Sequence, residues 1–459
     1  MIDLGGLRQR FRGELLTSED GARYDAARAV FNAIFDRRPA AIARATGAAD
    51  VIAAVGFARE RGLPLAVKGG GHSVAGYSTT EGGLLLDLSP MKGIRVDPRE
   101  NRLRAQTGLT WGEVDRETQA FGLATTGGRV TSTGLPGFVL GSGSGWLERT
   151  CGLACDNLLS ADVVTADGRL LTASANENAD LFWGLKGGGG NFGVVTELEL
   201  RLHPVGPIIL GGLMLFPREQ AAQVCRAYRD WMADAPAELG GGLVFLHAPP
   251  APFVPESLRL KPAAGIIVAW FGEPARGEAW LKLLRAKVPP AADVVQPMPY
   301  CALQSMLDAG NPHGRRQYWR SDNLRSLDDA AIDTLITCAN SATSPFSNVI
   351  LQPGGHAVAA VADEATPLGG RTAPWQLHCY GTWEGADDAT HVAWVKQTER
   401  AIAPWAAGKV SLNFISEADA NRVRTAFGDE KYAKLSALKR KYDPDNFFRL
   451  NQNIPPAGA

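Results

Sequence analysis

Apolar positions recur at helical spacing through "ADVIAAVGFARERG" (49–62), and the pattern then shortens to the buried-strand run "LPLAVKGGG" (63–71). The segment "GGLLLDLSPMKGIRVDPRENRLRAQTGLTWGEVDRETQAFG" (82–122) predicts strand, turn, strand, strand and helix, with Asp97-Pro98 breaking a hairpin. "LLSADVVTADGRLLTAS" (158–174) predicts a second hairpin around Ala166-Asp167-Gly168. "ENADLFWGLKGGGGNFGVVTELELRLHP" (177–204) predicts helix, glycine loop and strand. From about position 206 the pattern changes. "PIILGGLMLFP", "GGLVFLHAPP", "AAGIIVAWFG", "SNVILQPGGHAVAAV" and "WQLHCYGTW" are strand candidates. Between them lie the helix candidates "REQAAQVCRAYRDWMADAP", "GEAWLKLLRAKV", "DDAAIDTLITCANS" and "ATHVAWVKQTERAIAPW". This predicts a second α+β lobe on a mixed or antiparallel sheet, with proline-rich punctuation at 249–255 and 289–290. The segment "DEKYAKLSALKRKYDPDNFFRLNQNIPP" (429–456) reads as a basic helix and a polar, asparagine-rich tail.

Composition adds exclusions. In 459 residues Lys+Arg number 47 and Asp+Glu 48, and 45% of residues are hydrophobic, which suits two or three lobes with real cores. Charge this balanced supports neither nucleic-acid nor acidic-membrane binding. The N-terminus lacks a signal-type apolar core and no transmembrane span stands out, so a cytoplasmic protein is expected. The six cysteines, at 151, 155, 225, 301, 338 and 379, show no C-x-x-C spacing. They read as buried thiols, with no metal site expected.

Glycine carries the candidate chemistry. Of 52 glycines, four clusters fall in the N-terminal half: Gly69 to Gly71, Gly127-Gly128, "GSGSG" from Gly141 to Gly145, and "KGGGGNFG" from Lys186 to Gly193. Clusters bracketed by strand-like runs mark turns, or places where backbone must approach a ligand closely. In "VKGGGHSVAG", His72 follows three glycines: amides able to wrap a pyrophosphate stand beside an imidazole, a nucleophile toward an electrophilic methyl. Gly188-x-Gly190-x-x-Gly193 matches the dinucleotide fingerprint as a string, but a helix precedes it and a strand follows, the reverse of the Rossmann order. No P-loop motif is present.

Taken in order, "GGGHS", "TGLPGFVLGSGSGWL", "CGLACDNLLSADVVTADG" and "KYDPDNFFRLNQNI" resemble the berberine-bridge-enzyme-like branch of the vanillyl-alcohol-oxidase flavoproteins, over roughly Arg38 onward. The resemblance implies an α+β, two-lobed architecture: a PCMH-type FAD-binding domain, and a substrate domain whose antiparallel sheet covers the flavin. The implied division is an N-terminal helical segment at 1–37, the FAD domain at 38–205, the substrate domain at 206–415, and a segment at 416–459 returning to the FAD domain. It implies FAD contacts from Gly69, Gly70, Gly71, His72, Ser73, Gly76, Thr133, Gly134, Gly137, Ser142, Gly143, Val195, Asn451 and Asn453. His72 would be joined covalently to the flavin 8α-methyl. Where some relatives add a cysteine link, this chain carries Val130, while Cys151 lies downstream, so a single covalent bond is expected.

Flavin chemistry of this kind moves hydride from a substrate carbon while a base takes the adjoining O–H or N–H proton. Relatives often supply a tyrosine in "Y-x-N", but here the stretch is Ser411-Leu412-Asn413-Phe414, and a serine hydroxyl cannot serve as a phenol does. In "WQLHCYGTW" strand alternation puts Gln376, His378 and Tyr380 on one face. His378 has a suitable unperturbed pKa for the base, with Tyr380 assisting; a purely structural histidine is the other reading. Tyr318 and Trp319 could form an aromatic wall or simply core. The expectation is an FAD-linked oxidase of a small-molecule alcohol, hemiacetal or amine, with oxygen as acceptor, as monomer or homodimer. A dehydrogenase using another acceptor and a catalytically silent flavin binder are the alternatives.

Overall fold

The computed structural model describes residues 2–417 and 419–458. Three β-sheets organise it. The first contains β1 (Glu14–Leu16), β2 (Ala41–Arg44), β3 (Leu65–Lys68) and β4 (Leu84–Asp87) in the order β1-β2-β4-β3. β2 and β3 run parallel to β4, and β4, buried along its whole length, reads as the unbroken run "LLLD" because parallel strands are covered on both faces. Helix Ala48–Glu60 packs Val51, Val55, Phe57 and Ala58 onto this sheet. The second sheet comprises β5 (Ile94–Asp97) and β6 (Arg102–Gln106), followed after a short ribbon strand β7 (Leu123–Ala124) by β8 (Leu158–Val164), β9 (Leu170–Ser174) and β10 (Val194–Arg201). Its order is β5-β6-β10-β8-β9, antiparallel throughout. β11 (His203–Pro204) pairs with β7 and ends this lobe.

The third sheet has eight strands: β12 (Ile208–Pro217), β13 (Leu239–His247), β14 (Pro262–Trp270), β15 (Ala292–Asp293), β16 (Gln296–Pro299), β17 (Arg316–Leu324), β18 (Asn348–Pro353) and β19 (Trp375–Trp383). The order is β15-β12-β14-β13-β18-β19-β17, with β16 beside β12. Helices Ala221–Met232, Pro274–Lys287, Asp329–Asn340 and Asp388–Ile402 cover one face. Alternation sorts the strands cleanly: Leu243, Phe245, Ile266, Leu351 and Leu377 enter the core beneath the helices, whereas Val244, Ile267 and Ile350 point to the opposite face. That opposite face looks toward the first two sheets. The fold is thus the α+β, two-lobed one expected, with an antiparallel sheet over the FAD-type lobe.

Two of the expected boundaries shift. Residues 1–37 are not a separate helical segment: β1 pairs antiparallel with β2, and Leu4, Leu7 and Phe11 are buried against helix Ala48–Glu60. The return to the first lobe begins before 416, because Val410, Leu412 and Ile415 already belong to the core of the second sheet.

The tail is fastened by a buried ion pair. Lys439 and Asp443, both with no exposed side-chain surface, meet at 2.7 Å. The Lys439 ammonium also donates to the carbonyls of Asn191 and Phe448, each at 2.8 Å, while Asp443 accepts from the amides of Phe447 and Phe448. Asn191, in the glycine loop, donates to Gly188 and Gln452 carbonyls and accepts from the Ile454 amide. One lysine therefore satisfies its three N–H donors with the tail, the loop and a carboxylate. Lys439→Met leaves Asp443 buried without its counter-charge and is expected to destabilise the protein by about 3–5 kcal/mol. A lowered thermal midpoint, with faster amide exchange confined to 443–454, is the readout.

Candidate active site

Between the two lobes lies a cavity of about 1290 Å³. That exceeds the roughly 300–1,000 Å³ of an ordinary single-ligand pocket. Its walls come chiefly from the loop after β3, residues 128–146, the loop 187–195, the tail 448–452 and the open face of the third sheet, with the 248–260 connection and residues 306–315 and 412–414 completing them. Bare backbone makes this possible. A Cβ on Gly70 would lie 2.3 Å from the Gly134 amide nitrogen, and one on Gly134 would lie 2.2 Å from that of Gly70, so the two loops touch main chain to main chain. At Gly137, Gly189 and Gly190 a Cβ would meet nothing within 4 Å, so those backbones face open space in the cavity. Such a cradle of amides fits the phosphates of a dinucleotide.

Most of the residues expected to contact the cofactor converge here. Gly69, Gly70, Gly71, His72, Ser73, Thr133, Gly134, Gly137, Val195 and Asn451 all line the cavity. Four others do not. Gly76 has φ +74 and lies against the Phe35 ring, where a Cβ would sit 2.5 Å from it. Ser142 bonds the Ser411 hydroxyl at 2.6 Å, and Gly143 packs against Ala154 and Phe138, so Gly141 and Ser144 supply that wall instead. Asn453 is outside the wall; Gln452 is in it.

His72 is held rigidly. Its ring stacks on Phe31 at 4.0 Å and 15°, His313 meets it edge-on at 5.2 Å, and Nε2 lies 2.9 Å from Ser132 Oγ. Burial pushes its pKa down to about 3, with the His313 charge adding to the effect. In the tautomer with Nε2 donating to Ser132 Oγ, the neutral ring carries its lone pair on Nδ1. Cys151 does not line the cavity, whereas Val130 does, and burial pushes the Cys151 thiol up to about 12. A thiol so protonated is a poor nucleophile.

On the sheet face, Tyr380 lies in the wall between Trp319 at 4.3 Å and Phe414 at 6.4 Å. Gln352 and Asn413 are wall residues as well. Arg129 closes this end: its guanidinium lies 4.7 Å over the Trp146 ring, bonds the Ser144 carbonyl and hydroxyl, and faces the buried Glu148 at 3.7 Å. Burial raises the Tyr380 phenol pKa, and the Arg129 charge partly offsets that rise. His378 shares the strand face but stands behind the wall. It is 1% exposed, packs on Phe414 at 4.6 Å, and places Nε2 3.0 Å from Gln352 Oε1. Gln376, two positions further along β19, is outside the wall, and so is Ser411. Tyr318 faces the helices, its hydroxyl donating to Glu417 at 2.8 Å; its neighbour Trp319 faces the cavity. Arg129, Gln352, Asn413 and Trp146 were not anticipated as wall residues. Arg129 directly follows Gly127-Gly128, and Gln352 shares the alternation of "SNVILQP" with Ile350, so both left a trace in the sequence.

Comparison with known proteins agrees with this geometry. Residues 39–174 match the family described as "FAD binding domain", and 410–455 the family described as "Berberine and berberine like". The chain is 30% identical to (R)-6-hydroxynicotine oxidase of Paenarthrobacter nicotinovorans, over 98% of each chain. The chain belongs to the berberine-bridge-enzyme-like family of FAD-linked oxidoreductases. A solved structure of 6-hydroxy-D-nicotine oxidase from Arthrobacter nicotinovorans superposes with a TM-score of 0.86 at 27% identity, covering 97% of this chain and 98% of that one. BBE-like 1 of Physcomitrella patens superposes at 0.89 over 100% of both chains; at 21% identity it speaks to the fold alone. Among the described residues no helix is long and apolar enough to cross a membrane.

Burial has a consequence for acid stability. Burial first, and then the Arg129 charge, push His378 down to about 3, so the unfolded chain binds its proton near pH 6.5 while the folded chain does not. The stability from this site is whole above 6.5 and is lost as pH falls from there toward 3, by up to about 1.4 kcal/mol per unit. The thermal midpoint is expected to drop between pH 7 and 5, and His378→Gln should flatten part of that drop.

Proposed function

We propose that the protein is an oxidase that removes hydride from a substrate carbon bearing an O–H or N–H, with Tyr380 as the proton acceptor and His72 as the single covalent anchor of FAD. The observation that carries the reading is that Tyr380, Gln352, Asn413 and Arg129 line the same cavity as the glycine cradle. Bound FAD would supply the hydride acceptor and the route for electrons to oxygen.

The chain's own groups divide the remaining work. Tyr380, ionised beforehand, takes the substrate proton and becomes the neutral phenol as the C–H bond is lost, and the Arg129 charge favours the phenolate from which it must start. The amides of Gln352 and Asn413 orient the reacting group. His378, donating from Nε2 to Gln352 Oε1, fixes which end of that amide faces the cavity. Its position behind Gln352 and its depressed pKa make it a positioning residue in place of the base expected for it. Phe31 and Ser132 hold the His72 ring so that only Nδ1 is free to form a bond. Trp146, Trp319 and Phe414 exclude water from the reacting end.

The anchor is tested by acid precipitation. The yellow colour should stay with the parent and with Cys151→Ala, and leave with the supernatant of His72→Ala. Colour retained covalently by His72→Ala removes the assignment. The base is tested by anaerobic stopped-flow reduction. Tyr380→Phe should be slower by ~10²–10⁴-fold, the typical worth of a positioned base, with its attachment intact. The parent rate should climb with pH through the alkaline range, because the phenol is raised above its usual value and only the phenolate accepts a proton. His378→Ala should keep that profile with a smaller loss. A Tyr380→Phe enzyme within a few-fold of the parent sinks the role, and peroxide release on turnover separates oxidase from dehydrogenase.

A further inference from the structure

The wall that receives the substrate is divided by strand order. The strands β18, β19 and β17 present Asn348, Gln352, Tyr380 and Trp319 to the cavity, with Ile350 on β18 the aliphatic member of the group. Their neighbours β12, β14 and β13 present Leu213, Ile267, Val244 and Leu246. Because the two groups are contiguous in one sheet, the polar and apolar halves adjoin along a single line.

The apolar half continues to solvent. Beyond Leu246 the wall runs through His247, its one titratable member here, and then Ala248, Pro249, Pro250 and Ala251, and Phe253 and Leu260 on the same β13–β14 connection are 44% and 67% exposed. Exposed large apolar side chains at a cavity rim mark where an apolar molecule enters. Charge gives an independent constraint. Among the described residues the wall contains no aspartate and no glutamate, while Arg129 and Arg315 are both in it. An ammonium group there would be desolvated with no carboxylate in the wall to pair with, since Glu148 and Glu384 are already engaged by Arg129 and Arg315. On this half only His247 and Gln296 offer side-chain hydrogen bonds, so a sugar chain would place most of its hydroxyls against Leu213, Val244, Leu246 and Ile267.

We infer that the substrate is an uncharged alcohol on an elongated apolar body, its hydroxyl at the Tyr380 end and its body along the limb toward Phe253. This rests on the reading of the cavity as the FAD and substrate site, and it excludes cationic amines and oligosaccharides as preferred substrates. The body supplies binding free energy in proportion to its buried length, while the reacting end supplies little beyond orientation.

The holoenzyme is titrated with ω-phenylalkanols from benzyl alcohol to 4-phenylbutanol, with the matching ω-phenylalkylamines at pH 7, and with cellobiose. Binding is followed anaerobically through the fluorescence of the wall tryptophans, Trp146 and Trp319 among them, and reduction at 450 nm is followed in parallel; the flavin-to-protein ratio is read before any ligand is added. The alcohols should tighten by about fourfold per methylene, the worth of one buried CH₂. The amines should bind at least about a hundredfold more weakly, the scale on which an uncompensated charge is penalised. Cellobiose should give no saturable signal. Leu246→Glu, which puts a carboxylate in the limb, should weaken the alcohols about tenfold or more and narrow the gap to the amines. Leu246→Gln, a milder change, should weaken the alcohols in the same direction. A flat alcohol series, amines binding as tightly as alcohols, or saturable cellobiose binding each overturns the substrate class. A chain purified without flavin overturns the cofactor reading instead, and the ratio measured first shows which has failed.

Discussion

Everything in the cleft depends on a contact in which no side chain takes part: the main chain at Gly70 lying against the main chain at Gly134. One loop follows a parallel strand of the first sheet, and the other opens the helix Leu135–Gly141. Two methyl groups at this crossing would hold the loops apart, and the amides that line the cradle would no longer face one space. From that crossing the glycine backbones spread along the wall to Gly190, and His72 stands at their edge, its ring clamped between Phe31 and Ser132. The cofactor end is thus built from what the sequence leaves out.

The opposite wall is built by a different rule. Alternation within each strand sends every second side chain to the cavity, so the polarity of the cavity is decided one strand at a time. Strand order then groups like with like. The reactive groups Gln352 and Tyr380 stand on adjacent strands, and most of the hydrocarbon on the three strands beside β18. Behind the reactive strands, Glu148 and His378 hold Arg129 and Gln352 in place without reaching the cavity themselves.

Much of this was legible in the chain, and what was not has identifiable reasons. Glycine clusters betray a cradle because bare backbone is encoded locally, and Gly69 to Gly71, Gly134 and Gly137 line the cavity. Within "GSGSG" the inward positions are Gly141 and Ser144, not Ser142 and Gly143, because where helix Leu135–Gly141 ends sets the phase, and composition does not fix a helix end to one residue. The same limit in depth applies to "WQLHCYGTW". Its period correctly groups Gln376, His378 and Tyr380, but a period says which side a residue faces and not what covers it; Gln352 and Phe414, contributed from elsewhere, cover His378. The Arg129–Glu148 pair and the docking of β1 onto β2 arise only when distant segments meet, and no local pattern announces them.

The clamp made by Lys439 and Asn191 also sets an order of events. Phe448, Leu450, Asn451 and Gln452 form part of the cavity wall, yet they follow every other wall segment in the chain. During synthesis the third sheet, complete by residue 383, emerges while the cradle still lacks one side, since N-terminal units fold as they emerge at ~5–20 residues per second. A dinucleotide has a wide approach in that interval and a narrow one afterwards, once the ion pair has drawn the tail across the glycine loop. The side that draws across the glycine loop is thus the last part of the wall to be made.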